Sequence, residues 1–255
     1  MRTSHKTTAI VLNTLDYGES DRILTVYTED FGKLKGIAKG ARRSRKRFSN
    51  ALEPFSLSHV IFSRKDHNSM VLIESCDVIN HHSGIRENLD KTLFSSYLLE
   101  LTDKFTREGK RDESLFQLLH TFLWMIDTGS QTEEFIRFFE IRLLKLAGYE
   151  PVLDRCMHCK GPISPTESYQ FIPSQGGIRC LSCHGNSFEA FPVSVGTLKS
   201  LLLGSEIDVQ KINRISLTDQ AAQESRLILS RFIRHILGRE LKSLSVLYQI
   251  RDMGI

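Results

Sequence analysis

Along the first 80 residues, short apolar and polar runs alternate between turn signals; from about residue 85 the apolar positions recur every three or four. Segments near 7–16, 21–29, 32–40, 55–64 and 70–79 are rich in Val, Ile, Thr and Phe and predict five strands. The turns between them fall at Asp16–Asp21 and Glu29–Gly32. Within the fourth segment Phe55, Leu57, His59 and Ile61 share one parity and Ser56 and Ser58 the other, which predicts a strand with one inward face. Five short strands in so few residues suggest a small closed barrel, and an OB-fold is the leading choice because five is its strand count.

Helical spacing then takes over. Leu89, Leu93, Tyr97 and Leu101, with Phe94, Leu98 and Phe105 beside them, predict a first helix; Leu115, Phe116, Leu119, Phe122, Leu123 and Ile126 predict a second. A third is bounded by Ser130 and Glu133, which match a capping box, and by Gly148; it is apolar around most of its circumference from 135 to 146. Residues 151–192 interrupt the pattern with Pro151, Pro162, Pro165, Pro173 and Pro192 and the pair Gly176 and Gly177. Helices are predicted again near 193–203 and 219–248, the latter with Ala222, Ser225, Leu229, Phe232 and Ile236 on one face. The expected architecture is an α+β multidomain chain: a barrel over 1–80, a helical domain over 81–150 and 193–255, and an embedded insert over 151–192.

Composition changes this picture little. Hydrophobic residues make up 40% and charged residues 25% of the 255, as in an ordinary globular protein, and no apolar run is long enough for a signal peptide or a spanning helix. A cytoplasmic protein without a membrane partner is expected. Charge changes the picture more. Residues 1–80 hold 13 Lys and Arg against 9 Asp and Glu, whereas 81–255 hold 21 of each. The whole surplus lies in the predicted barrel, which points to a polyanionic partner.

That surplus is concentrated. From Phe31 to Leu52 there is no acidic residue, while Lys33, Lys35, Lys39, Arg42, Arg43, Arg45, Lys46 and Arg47 supply eight cations. Lys33, Lys35 and Lys39 share a parity of the presumed third strand and should project together, with Leu34, Gly36 and Ala38 facing in. The arginine-rich run that follows is too charged to pack and predicts an exposed loop tracking a phosphate backbone. Tyr17, Tyr27, Phe31 and Phe48 lie close enough in sequence to stack on unpaired bases, Tyr27 and Phe31 being the candidates for the interface, although core packing competes for each of them. A solvated loop, or a sheet edge guarded by lysines, is the blander alternative. Arg231, Arg234 and Lys242 form a lesser basic group on a solvated helix face.

Chemistry of another kind sits in the insert. Cys156 and Cys159 form one CxxC and Cys180 and Cys183 a second, with 20 residues between the pairs. Two pairs at this spacing suit the four-thiolate tetrahedron of one structural zinc ion, which leaves no open coordination position for catalysis. His158 and His184 are near enough to stand in for a cysteine. Buried thiols, a labile redox pair and haem attachment at Cys180, Cys183 and His184 are the alternatives; the last leaves Cys156 and Cys159 unexplained. Cys76, alone on a strand, should be a small buried hydrophobe. The chain has no phosphate loop, no GxSxG turn and no HxE ahead of a cysteine pair, so an enzyme is not expected. A metal-dependent nuclease is the best enzymatic rival, and an RNA-binding or translation-linked zinc protein fits the same charge.

The stretches DYGESDRILT (16–25), GKLKGIAKGARR (32–43) and RFSNALEPF (47–55) resemble the N-terminal domain of the RecO family, and GYEPVLDRC (148–156) and GGIRCLSC (176–183) resemble its cysteine module. The resemblance implies an N-terminal OB-fold, a helical body with a structural zinc module, and a non-enzymatic recombination mediator. It further implies binding of single- and double-stranded DNA, annealing of complementary strands, and partnership with RecR and single-stranded DNA-binding protein in loading RecA, which puts the protein on the nucleoid when bound to DNA. A pocket for the tail of single-stranded DNA-binding protein is implied in the helical body, without assignment to residues.

Overall fold

The computed structural model describes residues 3–44, 46–48, 50–64, 70–129, 133–183 and 188–252. It divides into two compact units: residues 1–130 with 243–255, and residues 131–242.

The first unit is built on five strands, β1 (Thr3–Tyr17), β2 (Asp21–Thr28), β3 (Gly32–Ala38), β4 (Leu57–Arg64) and β5 (Val71–Asn80). They close into a barrel in the order β1-β2-β3-β5-β4. Closure depends on the length of β1, whose 15 residues serve two neighbours. Its first half, Thr3 to Ile10, pairs antiparallel with β4; from Ala9 to Tyr17 it pairs with β2, with a bulge between Val11 and Asn13 where the strand turns from one partner to the other. The last seam, between β3 and β5, is a short parallel contact of Gly36 with Val71 and Ile37 with Leu72. Gly36 is required there: a Cβ would lie 2.8 Å from the side chains of both Val71 and Ile73, closer than packed carbons come.

Inside the barrel Val11, Leu24, Val26, Leu34, Phe62 and Ile73 form one buried cluster with Phe48 and Leu52 from the connection between β3 and β4. The alternation expected of β3 holds, with Leu34, Gly36 and Ala38 inward. That of β4 does not: Val60 and Phe62 are buried, His59 is exposed and Ile61 half-buried, the opposite parity to the one the sequence suggests. The inward face is the even one, Ser58, Val60 and Phe62, and β4 runs unbroken along it, the extra residues of its pairing with β5 being Ile79 and Glu74 on β5; Leu57, buried on the opposite face, blurs the alternation that the sequence offers. Phe55 lies before the strand in a left-handed turn, at φ 72°. Ser58 remains buried with its hydroxyl donating to the Ala51 carbonyl at 3.4 Å. Cys76 is buried in the same cluster, and burial pushes its thiol up to about 12.

Helix α1 (Ser83–Arg86) is a single turn; α2 (Leu89–Phe105) and α3 (Glu113–Thr128) follow, each started by a side-chain cap, Asn88 and Asp112 respectively. Gly32 lets the barrel meet the chain between them: at φ +64°, its Cβ position lies 1.9 Å from the Lys110 carbonyl oxygen. The sequence predicts one helix over 219–248. Gly238, left-handed at φ +67°, ends it, giving α6 (Asp219–Leu237) and α7 (Lys242–Asp252). From Ser243 onward α7 belongs to the first unit, where Glu100 of α2 accepts from the Ser243 amide at 2.8 Å.

The second unit packs α4 (Glu133–Leu146), α5 (Val195–Glu206) and α6 around Phe138, Phe139, Leu143, Leu198, Leu201 and Leu229. Ser130, half of the expected capping box, lies outside the described residues. The cysteine-bearing insert is more regular than its composition suggests: β6 (Tyr169–Ile172), β7 (Gly177–Cys180) and β8 (Phe191–Val193) form a sheet in the order β7-β6-β8. Phe171 of β6 meets Phe232 of α6 edge to face, ring centroids 6.0 Å apart, and so ties the sheet to the helices. No helix among the described residues is long and apolar enough to cross a membrane.

Candidate nucleic-acid surface and metal centre

Outward-facing positions of β2 and β3 fall into cross-strand pairs, Tyr27 with Lys33, Thr25 with Lys35, and Ile23 with Ile37. Helices of the same unit cover the first of these pairs. The Lys33 ammonium is turned against α2, donating to the Asp103 carbonyl oxygen at 2.6 Å and pairing with its carboxylate at 3.2 Å. Burial alone would raise the Asp103 carboxyl, but Lys104 and Lys33 hold it below the ordinary carboxylate range. Tyr27 is fully buried, its hydroxyl 3.4 Å from the Asp112 carbonyl oxygen. Its ring offers no face on which a base could stack. Phe31 is half-buried between His5 and Phe62, at centroid distances of 5.1 and 5.2 Å, and packs against the barrel core.

Beyond that covered end the surface is open. Ile23, Ile37 and Leu72 lie side by side and half-buried across β2, β3 and β5, and Leu15, opposite Ile23 on β1, is exposed. Tyr17, at the end of β1, is 54% exposed. Lys35 and Lys39 stand exposed on either side of Ile37 at the same strand parity. The sequence reading did not single out this apolar band, yet the signal was present: if Lys35 and Lys39 face out, Ile37 between them must as well.

The remaining cations extend from that edge. Arg42, Arg43, Lys46 and Arg47 are exposed, while Arg45 lies outside the described residues. Arg42 and Arg43 approach Asp16 and Glu19, each at 3.6 Å, distances that bring only the weak attraction of solvated pairs and leave their guanidinium groups open to a stronger anion. Arg47 donates to the Lys39 carbonyl at 2.9 Å and lies over the Phe48 ring, 5.0 Å from its centroid, which anchors the base of the loop. Phe48 itself is buried. Asp21 accepts from the Gly40 amide at 2.8 Å, and that bond holds its carboxyl below the usual range.

The second site is the cysteine cluster. The four Sγ atoms of Cys156, Cys159, Cys180 and Cys183 all lie within 4.8 Å of one another, and those of Cys159 and Cys180 are 3.9 Å apart. Four thiolates at about 2.3 Å around one ion would sit about 3.8 Å from each other, so the sulfurs have the spacing of a tetrahedral set and not of disulfides. The turn after Cys156 is tight: the Lys160 amide donates back to the Cys156 carbonyl at 2.9 Å, and Lys160 is left-handed at φ 64°. Burial would raise the Cys156 thiol, but amides of Cys180, Cys159 and His158 donate to its sulfur and bring it down to about 6. Burial and its sulfur neighbours push Cys180 up to about 12. One thiolate is thus formed readily and the others crowd it, a state that a bound cation relieves. His158 contributes its backbone to the cluster, and His184 lies outside the described residues. Arg231 and Arg234 are committed elsewhere, the first over the Phe191 ring at 4.9 Å and the second to Glu240 at 2.9 Å.

A small closed β-barrel with a cationic, partly apolar edge, joined in one chain to a helical unit holding a four-thiol centre, defines the class of protein. Residues 1–82 match the family model "Recombination protein O N terminal" and residues 86–245 match "Recombination protein O C terminal". The DNA repair protein RecO of Syntrophus aciditrophicus is 52% identical over 256 residues, covering 100% of this chain and 99% of that one. RecO of Geobacter metallireducens is 35% identical over 247 residues, covering 97% and 98%, and RecO of Halalkalibacterium halodurans 29% identical over 250, covering 98% and 96%. The chain belongs to the RecO family of DNA repair proteins.

Proposed function

We infer that this protein is a non-enzymatic recombination mediator whose barrel, an OB-fold by strand number and order, binds single- and double-stranded DNA, and whose helical unit is held by one structural zinc ion. The reading assigns DNA binding to the domain of residues 1–80, and zinc to the insert at 151–192. It rests on one observation above the others: Lys35, Lys39, Arg42, Arg43, Lys46 and Arg47 are exposed together along a barrel edge that also carries Tyr17 and the Leu15–Ile23–Ile37–Leu72 band. The cations match the spacing-tolerant charge of a phosphate backbone, and the apolar band with its tyrosine offers unpaired bases a surface away from water. Lys33 and Tyr27 are not part of this interface, because α2 and the approach to α3 occupy them. Phe31 is left to the core.

Neutralising phosphates on two strands at once lowers their mutual repulsion, which is the physical basis for annealing complementary strands without nucleotide hydrolysis. Such a protein acts in the cytoplasm on the nucleoid, handing single strands to RecA with RecR and single-stranded DNA-binding protein as partners. Zinc is the metal best suited to four thiolates in a closed site, and it supplies folding energy to the insert, not chemistry. Annealing of complementary oligonucleotides by the purified protein in the absence of any nucleotide tests the mediator reading. Acceleration over the spontaneous rate supports it; no acceleration together with no DNA affinity rejects it. Measured against RNA of the same sequence, equal or tighter RNA binding would favour the rival RNA-binding role.

A further inference from the structure

Between the start of β2 and the connection from β3 to β4 lies a cleft of about 400 Å³, within the range of roughly 300–1,000 Å³ typical of small-ligand sites. Arg22, Arg42, Ser44, Asn50 and Glu53 line it, and Phe48 forms part of its floor. Most of the exposed lining is polar. The cleft opens beside the arginines proposed to hold DNA phosphates, so a nucleotide of the bound strand is the nearest available occupant.

Its chemistry is selective. Glu53 is fixed by Arg22, whose Nη1 donates to Oε1 at 2.7 Å, and Arg22 is fixed in turn by Asp16, its Nε donating at 3.1 Å. The Glu53 side chain lines the cleft and is still 43% exposed, and a carboxylate with one oxygen on Arg22 keeps further lone pairs for a ligand. A fixed carboxylate accepts two parallel N–H donors. Among the four bases, only guanine presents two such donors side by side, N1–H and the N2 amine, next to the O6 acceptor. Adenine, cytosine and thymine each place an acceptor where the carboxylate would meet it, and two acceptors facing one another repel. Donors for O6 and N7 are at hand in the Arg42 guanidinium, 44% exposed, and the exposed Asn50 amide.

The geometry points to a guanine-reading subsite: one unstacked guanine of bound single-stranded DNA enters this cleft, its Watson–Crick donors on Glu53 and its O6 edge toward Arg42 and Asn50. It deepens the DNA-binding reading and rests on it. It gives an otherwise charge-driven interface a preferred register on the strand.

The test uses the full-length protein and a set of oligothymidylates, each with one central dG, dA, dC or deoxyinosine, with affinity followed by fluorescence anisotropy at fixed salt. The dG strand is expected to bind about five- to a hundredfold tighter than the dA and dC strands, the discrimination typical of one good bidentate contact. Deoxyinosine, which lacks the N2 amine, should fall between. Glu53→Gln retains the Arg22 contact and replaces an acceptor with a donor; it should erase the dG preference while oligothymidylate affinity holds or rises slightly, since a negative charge beside the cations is removed. Equal affinity for all strands, or a dG preference that survives Glu53→Gln, overturns the inference and leaves the DNA-binding reading intact. Failure to bind any of the strands overturns both.

Discussion

Single positions carry much of the physics of this protein. Gly36 is the clearest: adding a methyl group places it 2.8 Å from Val71 and Ile73 at the barrel's parallel seam. Gly36→Ala is expected to cost about 1–3 kcal/mol, the range for overpacking a tight core, and a denaturant titration will show it as a lower midpoint. His82 is a second such position. It is fully buried in a left-handed turn at φ 49°, with Nδ1–H donating to the Phe55 carbonyl at 2.9 Å. Burial lowers its affinity for a proton below the ordinary 6.5, despite the opposing pull of the Phe55 carbonyl and, less strongly, of Asp127, and His120 is shifted the same way by burial. Unfolded chains therefore take up protons first as the pH drops through about 6.5, so the first unit should lose stability between pH 7 and pH 5. Trp124, the one tryptophan, lies in that unit and reports its unfolding; equal urea midpoints at the two pH values would contradict the assignment. The sequence marked none of this for His82, because neither burial nor a carbonyl partner 27 residues away leaves a local pattern.

Elements were more legible than side chains. All five strands lie within a few residues of where alternation put them, and α2, α3, α4 and α5 follow their apolar spacing. Two departures have separate causes: Leu57 is buried on the face of β4 opposite to Val60 and Phe62, which blurs that strand's alternation, and Gly238 divides the predicted C-terminal helix. The cysteine insert was read correctly as a cluster of four sulfurs, since two-residue spacing dictates local geometry, but its three-stranded sheet was not foreseen in segments of three and four residues. Because Phe171 and Phe191 connect that sheet to α6, removing the metal should loosen the helices of the second unit as well. A strong chelator, or Cys180→Ser, is expected to reduce helical circular dichroism and lower the melting temperature. Trp124 emission, coming from the first unit, should hold steady at temperatures below that unit's own transition. A chelated protein with an unchanged melting curve would show that the thiols hold no ion of structural weight.

Over the whole molecule, charge placement governs the expected behaviour. If about five of the exposed cations engage single-stranded DNA, log K should fall against log salt with a slope near about −3.5. Replacing Arg42, Arg43, Lys46 and Arg47 together with Gln should flatten that slope to about −1 and weaken binding at low salt. Lys33→Ala should leave the slope unchanged, since its ammonium is spent on Asp103. A steeper loss from Lys33→Ala than from the quadruple variant would place the DNA at the other, helix-covered end of β3. The cationic run itself was plain in the sequence; which of its members were free was not, because that depends on helices 70 residues or more further along.

The return of α7 to the first unit bears on how the polypeptide acquires its shape during translation. Residues 131–242 complete their unit as a contiguous stretch, whereas the unit that opens the chain awaits residues from 243 on. The barrel therefore leaves the ribosome well ahead of α7, and Glu100 gains the Ser243 amide only after the whole of residues 131–242 has been made. A stalled or prematurely terminated ribosome would thus release a nascent protein whose defect lies at its oldest end.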